Sequence, residues 1–283
     1  MHPWGIPVFV SWLAPVLVPV LVAALVAGGA WRAGALSAGG AVAATVVGAA
    51  AMAGGVGPGV LLVAWFAWTT GWSRAGRALK AARTGGVVAK GGPRDPWQVV
   101  ANGGVYAVGV LVALAVPSWA PVALVAAAGA LAAAGADTLA TEVGTWWGGA
   151  PWSLRTRRRV APGTSGAVSV VGTLALGVSA AVIAAAAAAV GVVPWTAWGA
   201  VALAGAAGAL ADTLLGAWGQ QRRWCPACRT DTEQDPHACG SATQLAGGWG
   251  WLDNDAVNLL ATVVGALSAV FLRAVLRGPT WGG

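Results

Sequence analysis

Histidine and charge are both scarce in this chain. Its 283 residues include two histidines, and 9% of the residues are charged. Neither His2 nor His237 lies near the acidic residues of the apolar segments. A Ser-His-Asp triad is therefore implausible, because it needs an imidazole beside the nucleophile. The Gly-Lys-Ser/Thr ending of a Walker P-loop is absent as well, which argues against that class of nucleotide-binding protein.

Apolar residues, by contrast, dominate the chain. They make up 58% of it, and the mean hydropathy is +0.72, whereas a soluble domain carries about 25% charged residues. Charge-free stretches of about 17–25 residues are long enough to cross a bilayer as helices. We predict an all-α fold, a polytopic transmembrane helical bundle of about eight spans, with a range of roughly seven to nine. The predicted spans are residues 6–30, 33–55, 56–72, 98–118, 119–140, 167–192, 195–219 and 255–276.

Three hydrophilic loops, at residues 73–98, 142–166 and 220–250, hold thirteen of the sixteen basic residues. Two spans separate each loop from the next, so all three face one side, which the positive-inside rule makes cytoplasmic. The net charge of +7 is thus a topology signal, and basic residues dispersed beside a membrane do not indicate a nucleic-acid partner. We expect N-terminal transmembrane spans in residues 1–72 and a catalytic transmembrane domain in residues 73–283, in the cell membrane.

Carboxylates stand at the ends of two predicted spans. The sequence Ala-Asp-Thr-Leu occurs at residues 136–139 and again at 211–214, so Asp137 and Asp212 each follow a long apolar run. Asp253 and Asp255 begin the last span. A charged residue within a membrane helix costs roughly 2.5–3.5 kcal/mol, so these acids are predicted to mark a site at the cytoplasmic surface. The alternative is that they only join helices through hydrogen bonds.

A glycine-rich turn precedes the sixth predicted span. Its backbone N–H groups and the positive end of the following helix would suit a phosphate, although a simple N-cap is the alternative. In phosphoryl or nucleotidyl transfer, carboxylates hold Mg²⁺ against phosphate oxygens. The carboxylates of this chain, together with its glycine-rich turn and its arginines, match the needs of such a reaction. The turn consists of Gly163, Thr164, Ser165 and Gly166, and Arg158 and Arg159 precede it.

All three cysteines lie in the loop after the seventh predicted span. Cys225 and Cys228 have the Cys-x-x-Cys spacing of a zinc knuckle, and His237 and Cys239 follow. Three thiolates and one imidazole complete a tetrahedral zinc set. A disulfide is not expected on the reducing cytoplasmic side. We predict a small loop module that binds structural Zn²⁺, with free cysteines as the alternative.

Five elements resemble, in order and spacing, the integral-membrane family called domain of unknown function ninety-two, which includes the plant phytyl-phosphate kinase. CTP-dependent polyprenol kinases and CDP-diacylglycerol synthase are similar at a greater distance. The elements are Val-Ala-Asn-Gly-Gly at 100–104, Ala-Asp-Thr through Glu-Val-Gly at 136–144, Pro-Gly-Thr-Ser-Gly at 162–166, Ala-Asp-Thr-Leu-Leu-Gly at 211–216 and Leu-Asp-Asn-Asp-Ala-Val-Asn at 252–258.

The resemblance implies a Mg²⁺-dependent phosphotransferase of the membrane. It would transfer the γ-phosphate of a nucleoside triphosphate, CTP in related kinases, to a prenyl monophosphate such as phytyl or geranylgeranyl phosphate, giving the diphosphate. The prenyl tail is expected along the small-residue faces of the helices. The expected catalytic residues are Asp137, Glu142, Asp212, Asp253 and Asp255, of which the four aspartates would hold Mg²⁺. The expected substrate- or phosphate-binding residues are Asn102, Gly103, Arg158, Arg159, Gly163, Thr164, Ser165, Gly166 and Asn258.

Two other functions remain open on the same residues. A lipid nucleotidyltransferase of the CDP-lipid type would use the same parts but release diphosphate. A transporter would also place acidic residues within its spans. The acids here lie near the membrane surface and not at its midplane, which favours an enzyme.

Overall fold

The protein is described here by a computed structural model that covers residues 8–84, 87 and 92–277. His2 and Lys90, one of the thirteen basic loop residues, lie outside the described residues. The described helices are α1 Val8–Arg32, α2 Ala38–Ala53, α3 Val56–Arg74, α4 Arg77–Thr84, α5 Pro96–Ala115, α6 Ala120–Trp147, α7 Val170–Ala189, α8 Trp198–Trp218 and α9 Asn254–Arg277. The strands are β1 Trp152–Ser153, β2 Ala167–Val168, β3 Arg222–Cys225, β4 Thr230–Thr232 and β5 Gln244–Gly247.

Side-chain caps distinguish the two ends of the bundle. Four helices begin with a polar side chain that accepts a backbone N–H, which satisfies a donor that the helix itself leaves unpaired. Helices α3, α6 and α8 start at the opposite end, and no side chain caps them. The four caps are Ser37 on α2, Asp95 on α5, Ser169 on α7 and Asp253 on α9.

The long helices alternate in direction, so their polar connections gather at one end. The end of α3 meets the end of α1, where Arg74 donates a hydrogen bond to the carbonyl of Ala33. The start of α2 meets the segment before α5, where the Ser37 N–H donates to the carbonyl of Arg94 over 3.0 Å. Helix α4 lies at this end too. The other two loops meet this end as well, since the Arg83 guanidinium donates to the Trp146 carbonyl and the Ser165 hydroxyl donates to the Glu233 carboxylate. The three loops therefore lie at one end of the bundle, as the sequence predicted.

Helix α6 is the centre of the bundle and packs against α3, α5, α7, α8 and α9. In its most apolar stretch 72% of the residues are buried, against 11% in α1. Small residues make the close packing possible. A Cβ added to Gly208 of α8 would lie 2.7 Å from the carbonyl oxygen of Ala261 on α9, and one added to Gly265 of α9 would lie 2.6 Å from the Cβ of Ala133 on α6.

Six helices of the described chain are long and apolar enough to cross a membrane. They include parts of α1 and α9 and all of α5 to α8. Each of the other two predicted spans, 33–55 and 56–72, also contains a helix. Helix α2 has 16 residues, fewer than a full crossing needs. Helix α3 has 19 residues but contains Trp65, Trp68 and Trp72, which lower its hydropathy.

The loops contain more structure than the sequence predicted. Helix α6 continues to Trp147, so Glu142 is helical and not part of a loop. The expectation that the turn at 163–166 directly precedes a helix was wrong, because β2 and the cap Ser169 stand between that turn and α7. Strand β2 pairs with β1 instead. In the last loop, β3 pairs with β4 and with β5 to form a three-stranded antiparallel sheet.

Candidate functional site: an acidic pair beneath the loop layer

Asp137 and Asp212 come together near the loop end of the bundle. Each lies one turn after a packing contact between α6 and α8, in which the Cβ of Ala133 touches Gly208. The negative charge of Asp137 acts on the Asp212 carboxylate. Among the described residues no group donates a hydrogen bond to the buried Oδ2 of Asp212. Two adjacent carboxylates, one with an unsatisfied oxygen, need a proton or a cation.

Glu233 is a third acidic residue at this site, and the sequence reasoning missed it. It follows β4 directly and its charge also acts on Asp212. Its carboxylate accepts a hydrogen bond from the Ser165 hydroxyl. Its backbone N–H donates to the carbonyl of Val87 over 3.0 Å. Glu233 thus joins all three loops above the aspartate pair.

Gly166 sets the position of Ser165. Its φ is +70°, and an added Cβ would overlap the backbone of Ala217 in the last turn of α8. The turn at 163–166 therefore clamps directly onto the helix that carries Asp212. The two hydroxyl groups of this turn have different partners. The Thr164 hydroxyl donates a hydrogen bond to the carbonyl of Ala161 over 2.8 Å, and the Ser165 hydroxyl donates one to the Glu233 carboxylate.

Helix α9 supplies two of the predicted residues at this level. Ala261 meets Gly208 of α8, so Asn258, one turn nearer the loop end, lies level with Asp212. Asp255 is buried a further turn toward the loops. Asp253 has a different role: it is exposed, and its Oδ1 accepts the Ala256 N–H over 2.9 Å as the helix cap. Of these two aspartates, Asp255 is therefore the buried one.

Several predicted site residues lie elsewhere or are already engaged. Glu142 forms a salt bridge with Lys80, whose ammonium also donates to the carbonyl of Trp72 over 2.7 Å. A Cβ on Gly103 would meet Val47 of α2 at 3.0 Å, so this glycine serves helix packing. The Asn102 amide donates to the carbonyl of Gln98 over 2.8 Å. Arg158 and Arg159 are exposed, and Arg159 donates to the carbonyl of Ala150 over 2.7 Å.

Arg94 is a second residue that the sequence did not single out. Its guanidinium carbon lies 5.7 Å from the ring centroid of Trp65 and 5.4 Å from that of Phe66. Burial lowers the pKa of Arg94 to about 10, and the charge of Glu142 opposes this shift. Glu142 itself forms a salt bridge with Lys80. In the sequence, the only feature that set Arg94 apart was its position in a loop that joins two helices.

The four predicted zinc ligands do come together. The ligand atoms of Cys225, Cys228, His237 and Cys239 all lie within 4.8 Å of one another. The Cys228 N–H points to the Cys225 sulfur at 3.5 Å. Hydrogen bonding, chiefly with His237, lowers the pKa of Cys239 to about 6. Three thiols and an imidazole at this spacing fit the soft, tetrahedral donor set that zinc prefers.

The two donor sets differ in chemistry. The acidic pair, with Glu233 and the Ser165 hydroxyl nearby, presents oxygen atoms alone, which suit a hard cation such as Mg²⁺. The buried Oδ2 of Asp212, which accepts no hydrogen bond from the described part of the chain, fits such an ion. The strand β4 that precedes Glu233 belongs to the same sheet as Cys225. The sheet with the Cys/His cluster therefore positions Glu233.

Comparison with known proteins agrees with the motifs. A family model described as "Integral membrane protein DUF92" matches residues 21–266. No curated protein matches, and no solved structure matches. The matched range contains the aspartate pair, the loop layer and the Cys/His cluster, and it covers most of the 283 residues. The chain therefore belongs to the integral membrane protein family DUF92.

Proposed function

We propose that this protein is a membrane prenyl-phosphate kinase. It transfers the γ-phosphate of a nucleoside triphosphate, CTP by the resemblance described above, to a prenyl monophosphate and yields the prenyl diphosphate. The observation that carries the proposal is the pair Asp137 and Asp212, with Glu233 beside it and an oxygen of Asp212 left without a hydrogen bond. Such a group of carboxylates suits Mg²⁺ and, through it, phosphate.

The reaction requires little acid or base catalysis from the protein. An oxygen of the acceptor phosphate attacks the γ-phosphorus, a new P–O–P linkage forms, and the bond to the β-phosphate oxygen breaks to release the nucleoside diphosphate. The acceptor oxygen is already ionised at neutral pH, which agrees with the scarcity of histidine. Mg²⁺ held by Asp137 and Asp212 would neutralise charge on the phosphate oxygens. Ser165 and Asn258 orient the phosphates at the loop end.

The site faces the cytoplasm, where nucleoside triphosphates are available. The basic loops at this end support the orientation, and Arg32, at the end of α1, adds to them. We also propose that α2 and α3 cross as a pair, although α2 has only 16 residues and would need a locally thinner bilayer. This pair would bring the number of crossings to eight. The Cys/His cluster holds a structural zinc ion, whose role is to stabilise the sheet that carries Glu233.

The test is an assay of purified protein in detergent with CTP or ATP, Mg²⁺ and geranylgeranyl phosphate. The proposal predicts the prenyl diphosphate and CDP or ADP in equal amounts. Release of inorganic diphosphate would instead indicate a CDP-lipid nucleotidyltransferase. Absence of turnover with either triphosphate and with both phytyl and geranylgeranyl phosphate would contradict the kinase and favour a transporter.

A further inference from the structure

An apolar cleft lies among α1, α2, α3 and α5, away from the small-residue faces. The cleft is open at its mouth, and its lining is mostly apolar. Side chains such as Ala27, Val47 and Leu62 line it. The small-residue faces themselves offer no such space, because Gly205, Gly208 and Gly265 are in contact with other helices. At these three positions the small-residue faces are therefore filled by helix packing.

One end of this cleft is polar. Arg94, Gln98 and Asn102 line it there, and the Arg94 guanidinium lies near the rings of Trp65 and Phe66. The Arg94 backbone is fixed by two hydrogen bonds of 3.0 Å each, from its N–H to the Ala35 carbonyl and from the Ser37 N–H to its own carbonyl. These bonds fix the backbone of Arg94, and its guanidinium lies near the Trp65 and Phe66 rings at the polar end of the cleft.

We propose that this cleft binds the acceptor substrate, a single-chain isoprenoid monophosphate, with the chain among α1, α2 and α3 and the phosphate on Arg94. An apolar cavity with one fixed guanidinium is complementary to a molecule with one long apolar chain and one phosphate, because Arg binds phosphate through paired N–H donors. This inference rests on the proposed function for the identity of the phosphate ester.

The position of α5 distinguishes a substrate site from a site for bulk lipid. The cleft face of α5 carries Gln98 and Asn102. Its neighbouring face touches α9, where the Thr262 hydroxyl donates to the Ala101 carbonyl over 3.1 Å. The Asn258 position lies one turn from Thr262 toward the loops. Helix α5 therefore contacts the polar end of the cleft on one face and the helix that carries Asn258 on another.

The test measures binding without any nucleotide, so that it is independent of turnover. Protein in phosphatidylcholine nanodiscs is titrated with geranylgeranyl phosphate, and dimethylallyl phosphate, geranylgeraniol and dioleoyl phosphatidic acid serve as comparisons. Arg94→Gln should weaken binding of geranylgeranyl phosphate by about 10-fold or more, as expected for a charge-assisted hydrogen bond. Arg94→Lys, which keeps the charge, should lose less affinity for geranylgeranyl phosphate than Arg94→Gln does. Geranylgeraniol should bind the wild type more weakly than its phosphate.

A matched pair of substitutions tests the chain end of the cleft. Ala44 lines the cleft, whereas Ala24 is exposed on the outer face of α1. Ala44→Phe should weaken binding of geranylgeranyl phosphate but not of dimethylallyl phosphate, and Ala24→Phe should change neither. Unchanged affinity in both Arg94→Gln and Ala44→Phe would overturn the proposal, as would equal binding of phosphatidic acid, which would indicate a bulk-lipid site. Binding as predicted with no subsequent turnover would contradict only the kinase.

Discussion

The Ser165 hydroxyl donates a hydrogen bond to the Glu233 carboxylate, and this bond joins two loops that are 68 residues apart in the chain. Ser165 belongs to the turn that clamps onto the last turn of α8. Glu233 belongs to the loop that contains the Cys/His cluster. The bond lies over Asp212, whose carboxylate is influenced by the Glu233 charge. The loops therefore form part of the acidic site.

Replacing either member of the aspartate pair should abolish the response to magnesium. We expect Asp137→Asn and Asp212→Asn each to lower prenyl diphosphate formation by at least about 100-fold, equal to about 2.7 kcal/mol. Without Mg²⁺ each variant should melt no lower than the wild type, because a neutral amide replaces one of two adjacent negative charges. Melting temperatures measured with and without Mg²⁺ check this, since only the wild type should be stabilised by the ion.

Asp253→Asn is the control for these variants. Asp253 caps α9 from an exposed position, and asparagine caps a helix as well as aspartate does. We expect its activity and its magnesium response to remain within about twofold of the wild type. A loss as large as that of Asp212→Asn would contradict a capping role alone and would place Asp253 among the residues that hold the ion.

Glu142 should matter for stability more than for catalysis. It is paired with the buried Lys80, so Glu142→Gln leaves a buried cation without its partner and should cost about 3 kcal/mol in the free energy of unfolding. The double variant Lys80→Met with Glu142→Leu should recover most of that loss, because an apolar pair replaces the ion pair. Chemical denaturation of the three proteins measures the difference. An inactive but fully stable Glu142→Gln would instead support the catalytic role expected from the sequence.

Gly166 and Gly149 allow a comparison of backbone strain with lack of space. Their φ angles are +70° and +66°, but an added Cβ would overlap Ala217 at Gly166 and meets nothing within 4 Å at Gly149. Gly149→Ala should therefore cost only about 1–2 kcal/mol of backbone strain. Gly166→Ala should destabilise the fold by more than this, because its Cβ also overlaps Ala217, and it should displace Ser165 from Glu233. Limited proteolysis of the 163–166 turn would detect the displacement, and equal protection in the two variants would contradict the clamp.

The Cys/His cluster should contain one zinc ion per chain. Cys225→Ser should remove it, as measured by elemental analysis, and should lower the melting temperature because the metal stabilises the sheet. If the cluster acts by positioning Glu233, Cys225→Ser should also lower the activity. Glu233→Gln should then reproduce most of that loss of activity while the zinc stays bound. Ser241→Ala, in the same loop, is the control for both measurements. Full zinc content in Cys225→Ser would exclude this cysteine as a ligand.

The fold was predictable where local chemistry determines it. Apolar length marks the helices, and the cost of a carboxylate beside lipid singles out Asp137 and Asp212. The close packing at Gly208 and Gly265 also follows from the pattern of small residues on the helix faces.

Other features depend on contacts that no local pattern reveals. Glu233 reaches Asp212 only because strands β3, β4 and β5 pair, and its own sequence is that of an ordinary polar loop. Arg94 looked like one of many topology-setting cations, yet its neighbours come from α3. In each case tertiary packing, and not residue type, decides the role.

The contrast between α6 and α1 bears on how such a protein could change during evolution. The acidic pair belongs to a tightly interlocked core of α6, α8 and α9, whereas the cleft is bordered by α1, the helix with the least buried apolar stretch among the six candidate spans of the described chain. Under the proposed function, preference for chain length and the capacity for phosphoryl transfer are encoded by different helices. New lipid substrates can then be acquired through changes in the first three helices, while the chemical machinery is inherited intact.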